Sequence, residues 1–403
     1  MRPLSRRKFL GAVVVSSATL SRPPRHAAQT GTPAARRKIK LGLIGCGKRG
    51  KWIAQLFRQH GGYEIHAVAD YFPHVADAAG NELGTDKARR FSGLHAYKRL
   101  IESGVEAVAL ETPPYFFPEH ATAAVAAGLH VYMAKPVAVD VPGCLAIEAA
   151  GKLATEKQRV FLVDYQMPTD PFNQGVVQRI HEGGLGKIAY MTTFGFTRSY
   201  DDPPLTETIE SRLQNLTWIN DIALGCDYIG NFDIHAIDAA LWVAGTRPVS
   251  AFGASRICRD NPNGDAHDVC QVVFEFADGL LLNHSGQALN NNVEGMLTCR
   301  IYGPTAYAQI EYWGRAFLRG GPKHYGGGPV QNLYKAGAER NIAAFYDAIV
   351  NGDFGNPTVR RSVDGCLTCI LGREAAARHT KLTMDQILKE NKKLEVNLKG
   401  LKP

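Results

Sequence analysis

From Lys38 onward the chain alternates short apolar runs with amphipathic stretches, the pattern of strands buried on both faces and joined by helices. Residues 39–44, 64–69, 107–110, 130–133 and 160–163 predict strands of a parallel sheet. Helical periodicity fills 48–60, 118–127 and 142–155, the last two with a proline near the first turn.

The rhythm changes after about Asp164. A helix at 171–182 runs into Gly183-Gly184, a strand follows at 188–196, and 197–216 is irregular and rich in Asp and Pro. A strong helix is predicted over 228–243. Beyond it, β-like runs at 249–257, 269–276, 280–286, 295–302 and 307–312 succeed one another without helices, which predicts a mainly antiparallel sheet. Ala277-Asp278-Gly279 is a hairpin signal. The glycine-rich, aromatic stretch 314–329 reads as a mobile loop near a site, and helices at 336–350 and 359–379 close the chain. The expectation is an α/β protein with three parts. A leader and linker cover 1–37, a doubly wound parallel domain 38–164, and a second α/β domain with a mainly antiparallel open sheet 165–403.

Gly45-Cys46-Gly47-Lys48-Arg49-Gly50 directly follows the first strand and opens a helix, the context in which G-x-G-x-x-G carries meaning. The first glycine permits the turn, the second admits a pyrophosphate to the backbone, and the third lets helix pack on strand. The anion then meets free N–H groups at the helix N-terminus. Asp70 ends the second strand twenty residues after Gly50, where a carboxylate accepts from ribose hydroxyls and repels a 2′-phosphate. Tyr71 and Phe72 follow with no arginine, so this Rossmann motif selects NAD over NADP.

Lys135-Pro136 lies just past the strand at 130–133, at the ligand-facing end of such a sheet, where a lysine reaches the nicotinamide end of the cofactor and a substrate hydroxyl. Asn231, His235, Asp238 and Trp242 are spaced to share one helix face, with Asp233 near the helix start. A histidine there suits proton removal from a hydroxyl during hydride transfer, although composition alone favours a packed histidine capped by Asp238.

The formal net charge of +8 changes little, because it is local. Eight of the 46 basic residues lie in 1–37, which holds no acid, and the remaining 38 balance the 38 acidic ones. No basic stripe is left to follow a nucleic acid. Ser5-Arg6-Arg7-Lys8-Phe9-Leu10 and the apolar run to Leu20 read instead as a twin-arginine export signal, too short to span a bilayer, which takes about 20 residues. The expectation is delivery by the twin-arginine translocation machinery to the periplasm, with no membrane anchor once the signal is removed. The eight cysteines are scattered, and Cys366 and Cys369 read as small core residues on one helix face rather than metal ligands; no metal site is expected.

Together these motifs resemble the Gfo/Idh/MocA family (glucose–fructose oxidoreductase, inositol dehydrogenase, rhizopine catabolism). Thr112-Pro113-Pro114 with His120 looks like the family's stretch after its fourth strand, Ala134-Lys135-Pro136 like its E-K-P motif, and residues 228–242 like its D-x-G-x-H-x-x-D helix. The resemblance implies a homo-oligomer formed through the second sheet, with Lys135 positioning the substrate hydroxyl and His235 as general base or its partner. Three departures stand out: Ala134 for glutamate, Asn231 for aspartate, and Asp233 where glycine is usual. Asp233 and His235 are therefore the expected acid–base pair. The implied activity is hydride transfer between a sugar, glycoside or polyol carbinol and NAD. Alternatives are an NAD-dependent glycosidase working by transient oxidation, which Gly47-Lys48-Arg49-Gly50 also resembles, and a non-catalytic sugar- or nucleotide-binding protein. Tyr200, Tyr312, Trp313 and Tyr325 are candidates to stack on a sugar face.

Overall fold

The computed structural model describes residues 37–260 and 262–403. The expected twin-arginine signal lies outside the described residues.

The first set of apolar runs forms a six-stranded parallel sheet. Its strands are β1 (Ile39–Ile44), β2 (Tyr63–Asp70), β3 (Arg90–Ser92), β4 (Ala107–Leu110), β5 (His130–Ala134) and β6 (Phe161–Asp164). Only Lys40 of β1 is exposed, because helices cover both faces of the sheet. The order is β3-β2-β1-β4-β5-β6, so the direction of winding reverses between β1 and β4. A crevice opens there at the carboxyl ends of the strands.

The second sheet has nine strands: β7 (Tyr190–Thr197), β8 (Ser250–Arg256), β9 (Val269–Glu275), β10 (Leu281–Ala288), β11 (Met296–Tyr302), β12 (Ala306–Glu311), β13 (Arg315–Gly320), β14 (Tyr325–Pro329) and β15 (Leu382–Thr383). They run in the order β14-β13-β12-β11-β7-β10-β9-β8-β15, antiparallel except where β10 lies parallel to β7. Alternate residues along β9 and β10 are buried, as one solvated face requires. The turn at Ala277–Gly279 forms as expected, with Gly279 at φ 83°.

Two expectations are corrected. The stretch 314–329 is not a mobile loop: β13 and β14 pair antiparallel there and extend the sheet edge. The helix expected over 228–243 is broken into Asp227–Asn231 and Ile234–Ala244. The break falls where Asp233 is drawn down onto the sheet, between Gly195 of β7 and Gly286 of β10. A Cβ on either glycine would lie 2.0 or 2.2 Å from its carboxylate oxygens.

The last two long helices return to the first sheet. Leu333–Asn351 packs its Phe345 and Tyr346 against Phe57 of helix Lys48–His60 and Tyr63 at the start of β2. Pro357–Ala377 is buried along most of its length: its Cys366 thiol meets the Ala138 carbonyl at 3.2 Å and Arg373 donates to the Val139 carbonyl at 3.0 Å. Cys366 and Cys369 are core residues of this helix, as their spacing indicated. Among the described residues no helix is long and apolar enough to cross a membrane, and no cluster of His, Cys, Asp or Glu is arranged to hold a metal ion.

Candidate functional site

The glycine turn behaves as its chemistry demands. Gly45 sits at φ 95°, and a Cβ there would lie 2.5 Å from the Glu111 backbone. A Cβ on Gly50 would be 1.9 Å from the Gly45 carbonyl oxygen, so helix and strand touch through it. Gly47 has nothing within 4 Å on its side-chain face, which leaves its backbone open to a ligand. It opens onto a cleft of about 580 Å³ that Gly45, Gly47, Lys48, Arg49, Gly50, Asp70, Tyr71, Thr112, Pro113 and His120 all line.

Cys46 contributes its backbone: its N–H donates to Asp70 Oδ2 at 2.8 Å, while its thiol turns inward to the Ala69 carbonyl at 3.4 Å. The other Asp70 oxygen accepts from the Phe72 N–H at 3.0 Å, which fixes the carboxylate at the cleft wall. His120 stands 3.4 Å from the Thr112 hydroxyl, and burial lowers its pKa to about 3, so it is a neutral wall residue. Tyr71 hydrogen-bonds Glu210 through its hydroxyl, which also accepts from the Lys402 N–H at 3.1 Å. An open glycine backbone, a free helix N-terminus and a fixed carboxylate at the second strand's end fit NAD. Tyr200, expected to stack on a sugar, and residues 213–216 of the irregular segment line this cleft instead, together with Trp218 just beyond it, which sequence reasoning missed.

At the other end, Lys135 directly follows β5, and its Nζ donates to the Asn231 carbonyl. Asn231 thus serves through its backbone, its side chain donating to the Gly225 carbonyl at 3.4 Å. Burial foremost, then the Arg49 cation, lower the Lys135 pKa to about 7. His235, one turn beyond Asn231, is flanked edge-on by Tyr165 and Tyr312, with ring centroids 5.9 and 5.3 Å away. Its buried Nδ1 has no hydrogen-bond partner among the described residues. Burial, with the Lys135 and Arg49 cations, holds the imidazole neutral.

The expected Asp233–His235 pair does not form. Asp233 Oδ2 lies 3.0 Å from His284 Nε2, and His284 Nδ1 lies 3.0 Å from the Thr193 hydroxyl. The helix break turns Asp233 toward the sheet and His235 toward the nucleotide domain. Asp238 does not cap His235 either; it is fully buried and bound by Arg361, Nε to Oδ1 at 2.7 Å. Of the candidate stacking residues, Tyr312 stands beside His235, and half-exposed Trp313 stacks on Phe232 at 6.4 Å. Tyr200 belongs to the nucleotide cleft, and Tyr325 lies on the edge strand beneath Arg179.

Glu111 and Asp164 were also missed. They follow or end β4 and β6 and clamp Arg49, Nε to Glu111 at 2.9 Å and Nη2 to Asp164 at 2.6 Å. Burial pushes Glu111 up to about 7 against the pull of Arg49.

A wound parallel sheet with a glycine turn and a fixed carboxylate at its second strand's end, whose Lys135 bonds the Asn231 turn before the second sheet, defines a two-domain dinucleotide-binding fold. The family comparison agrees: the NAD-binding Rossmann domain of the oxidoreductase family matches residues 39–165 and the GFO/IDH/MocA C-terminal domain matches 174–309. The chain carries both domains of the Gfo/Idh/MocA family, and its cofactor is NAD.

Inositol 2-dehydrogenase of Rhizobium meliloti is 24% identical over 243 residues, 60% of this chain and 66% of that protein. Levoglucosan dehydrogenase of Pseudarthrobacter phenanthrenivorans is 25% identical over 393 residues, 87% of this chain and 99% of the relative. The chain spans 56 to 66% of the length of the first inositol dehydrogenases it matches. A levoglucosan dehydrogenase solved with NADH and L-sorbose shares the fold, with a TM-score of 0.70 at 18% identity, over 87% of this chain and 100% of that one.

Proposed function

We propose that this chain is an exported oxidoreductase that transfers a hydride between NAD and the carbinol of a sugar, glycoside or polyol. The observation that carries the reading is the contact of Lys135 with the turn at Asn231, close to neutral His235. Bound in the cleft, NAD supplies the hydride acceptor or donor. Lys135, with its pKa near 7, holds a free amine in much of the population at neutral pH and takes the hydroxyl proton. Neutral His235, with an unpartnered ring nitrogen, hydrogen-bonds a neighbouring hydroxyl and fixes the sugar's orientation. Tyr165 and Tyr312 keep water from its ring. The names of the relatives support polyols and anhydrosugars as the substrate class. The signal at residues 5–20 supports export. Tyr190, Phe252 and Leu281, exposed on the second sheet, support a homo-oligomer, which sedimentation of the purified protein tests.

The test is to purify the folded protein, identify any nucleotide released on denaturation, then screen sugars and polyols for NADH formation and weigh the products. The expected product is the substrate less two hydrogens, with Lys135→Met and His235→Ala each slowing turnover about 10²–10⁴-fold while NAD still binds. A released aglycone would replace this reading with the glycosidase one. Bound NAD without turnover on any sugar would leave a binding protein.

A further inference from the structure

Lys135 has no carboxylate as a direct hydrogen-bond partner, yet the strand ends around it hold two. Ala134 is paired with Asp164 on β6, and on its other side Leu110, paired with Met133, is followed by Glu111. The two acids therefore flank the end of β5. Arg49 spans the gap between them with an ion pair to each. Both carboxylates are almost fully buried, at 1% and 0% side-chain exposure. Asp164 is further held by Asn341 Nδ2 at 2.7 Å, and Arg49 by the Tyr334 hydroxyl at 2.7 Å. Asp164 is thus committed to two partners, Arg49 and Asn341. Among the described residues Glu111 pairs with Arg49 alone, and it lines the cofactor cleft.

Two buried acids and two part-buried cations balance only if each acid answers one cation. Arg49 is shared by both acids, but Asn341 holds only Asp164, so Glu111, with a buried oxygen left over, is the acid with charge to spare for Lys135. The charged or titratable groups that face Lys135 are Arg49, Glu111, Asp164, Asp233, His235 and the Cys369 thiol.

We propose that Glu111 is the positioning residue for Lys135: from β4 it supplies the carboxylate that β5 lacks at Ala134, and Arg49, anchored on Asp164, holds it there. This rests on the reading of Lys135 as the group that handles the substrate proton. Glu111 touches neither the sugar nor the transferred proton. It acts by deciding how readily Lys135 keeps its charge.

The experiment titrates Lys135 in the full-length, nucleotide-free protein by NMR of carbon-13-labelled lysine, with the signal assigned by its loss in Lys135→Met. Glu111→Gln removes a negative charge and is expected to lower the Lys135 midpoint by about one pH unit. Ala134→Glu in the same chain returns a carboxylate from β5 and is expected to restore it. Ala134→Glu alone, which adds a charge and removes none, raises the midpoint and keeps the test open if Glu111→Gln does not fold.

In the active protein the pH profile of kcat moves with the midpoint, while the affinity for NADH, read by fluorescence, is unchanged. A Lys135 midpoint indifferent to both substitutions overturns the proposal. A midpoint that moves as expected in a protein that oxidises no sugar overturns the functional reading instead and leaves the role of Glu111 standing.

Discussion

Asp233 shows how far one side chain is read from its surroundings rather than its spacing. Lying near His235 in sequence, it looked like that residue's partner, but the fold hands it to His284 on the sheet. Burial raises its pKa from 3.8 to about 6. A carboxyl raised in the folded state binds more protons there than in the unfolded chain. Its stabilising contribution is present below pH about 4 and is lost as the pH climbs through 6. Asp233→Asn keeps the shape without the charge, so its melting temperature should fall less than the parent's between pH 4 and 7. Equal slopes in thermal melts across that range would rule this out.

The glycines, Asp70 and Lys135 were legible because their demands are local, a turn or a strand end. Glu111 and Asp164 were not, because the partner that gives them meaning, Arg49, lies 62 and 115 residues away in the chain and no spacing rule connects them.

Strands and helices were read well where their periodicity was unbroken and poorly where a tertiary contact overruled it. Nothing in residues 228–243 marks the break at Phe232-Asp233, because its cause is the room above Gly195 and Gly286 on other strands. The glycines of 325–328 suggested a loop, yet pairing with β13 holds them in a strand. The ion pair between helix Ile234–Ala244 and helix Pro357–Ala377 was likewise invisible. Asp238 is fully buried and Arg361 is its cation. Removing one partner strands a buried charge, so Arg361→Met should cost about 3–5 kcal/mol in denaturant unfolding. A loss below about 1 kcal/mol would mean that water reaches Asp238.

At the scale of the molecule, the two sheets and the winding of the first followed from the change in rhythm near Asp164, because burial on one face or two is written into every strand. The +8 charge, which first suggested nucleic acid, belongs to residues 1–37, and export is the reading it supports. Replacing Arg6 and Arg7 together with lysine should leave the protein in the cytoplasm with its redox chemistry intact. Unchanged appearance in the periplasmic fraction would remove the twin-arginine assignment.

The return of the closing helices to the first sheet limits how this molecule can be divided. Severed near residue 165, the nucleotide-binding half would lose Phe345 and Tyr346 from against Phe57 and Tyr63, and Asn341 from Asp164. A greasy aromatic patch and an orphaned acid would then face water beside the cofactor. The halves can be told apart on paper, but neither is a part that could be lent to another protein without the end of the chain that seals it.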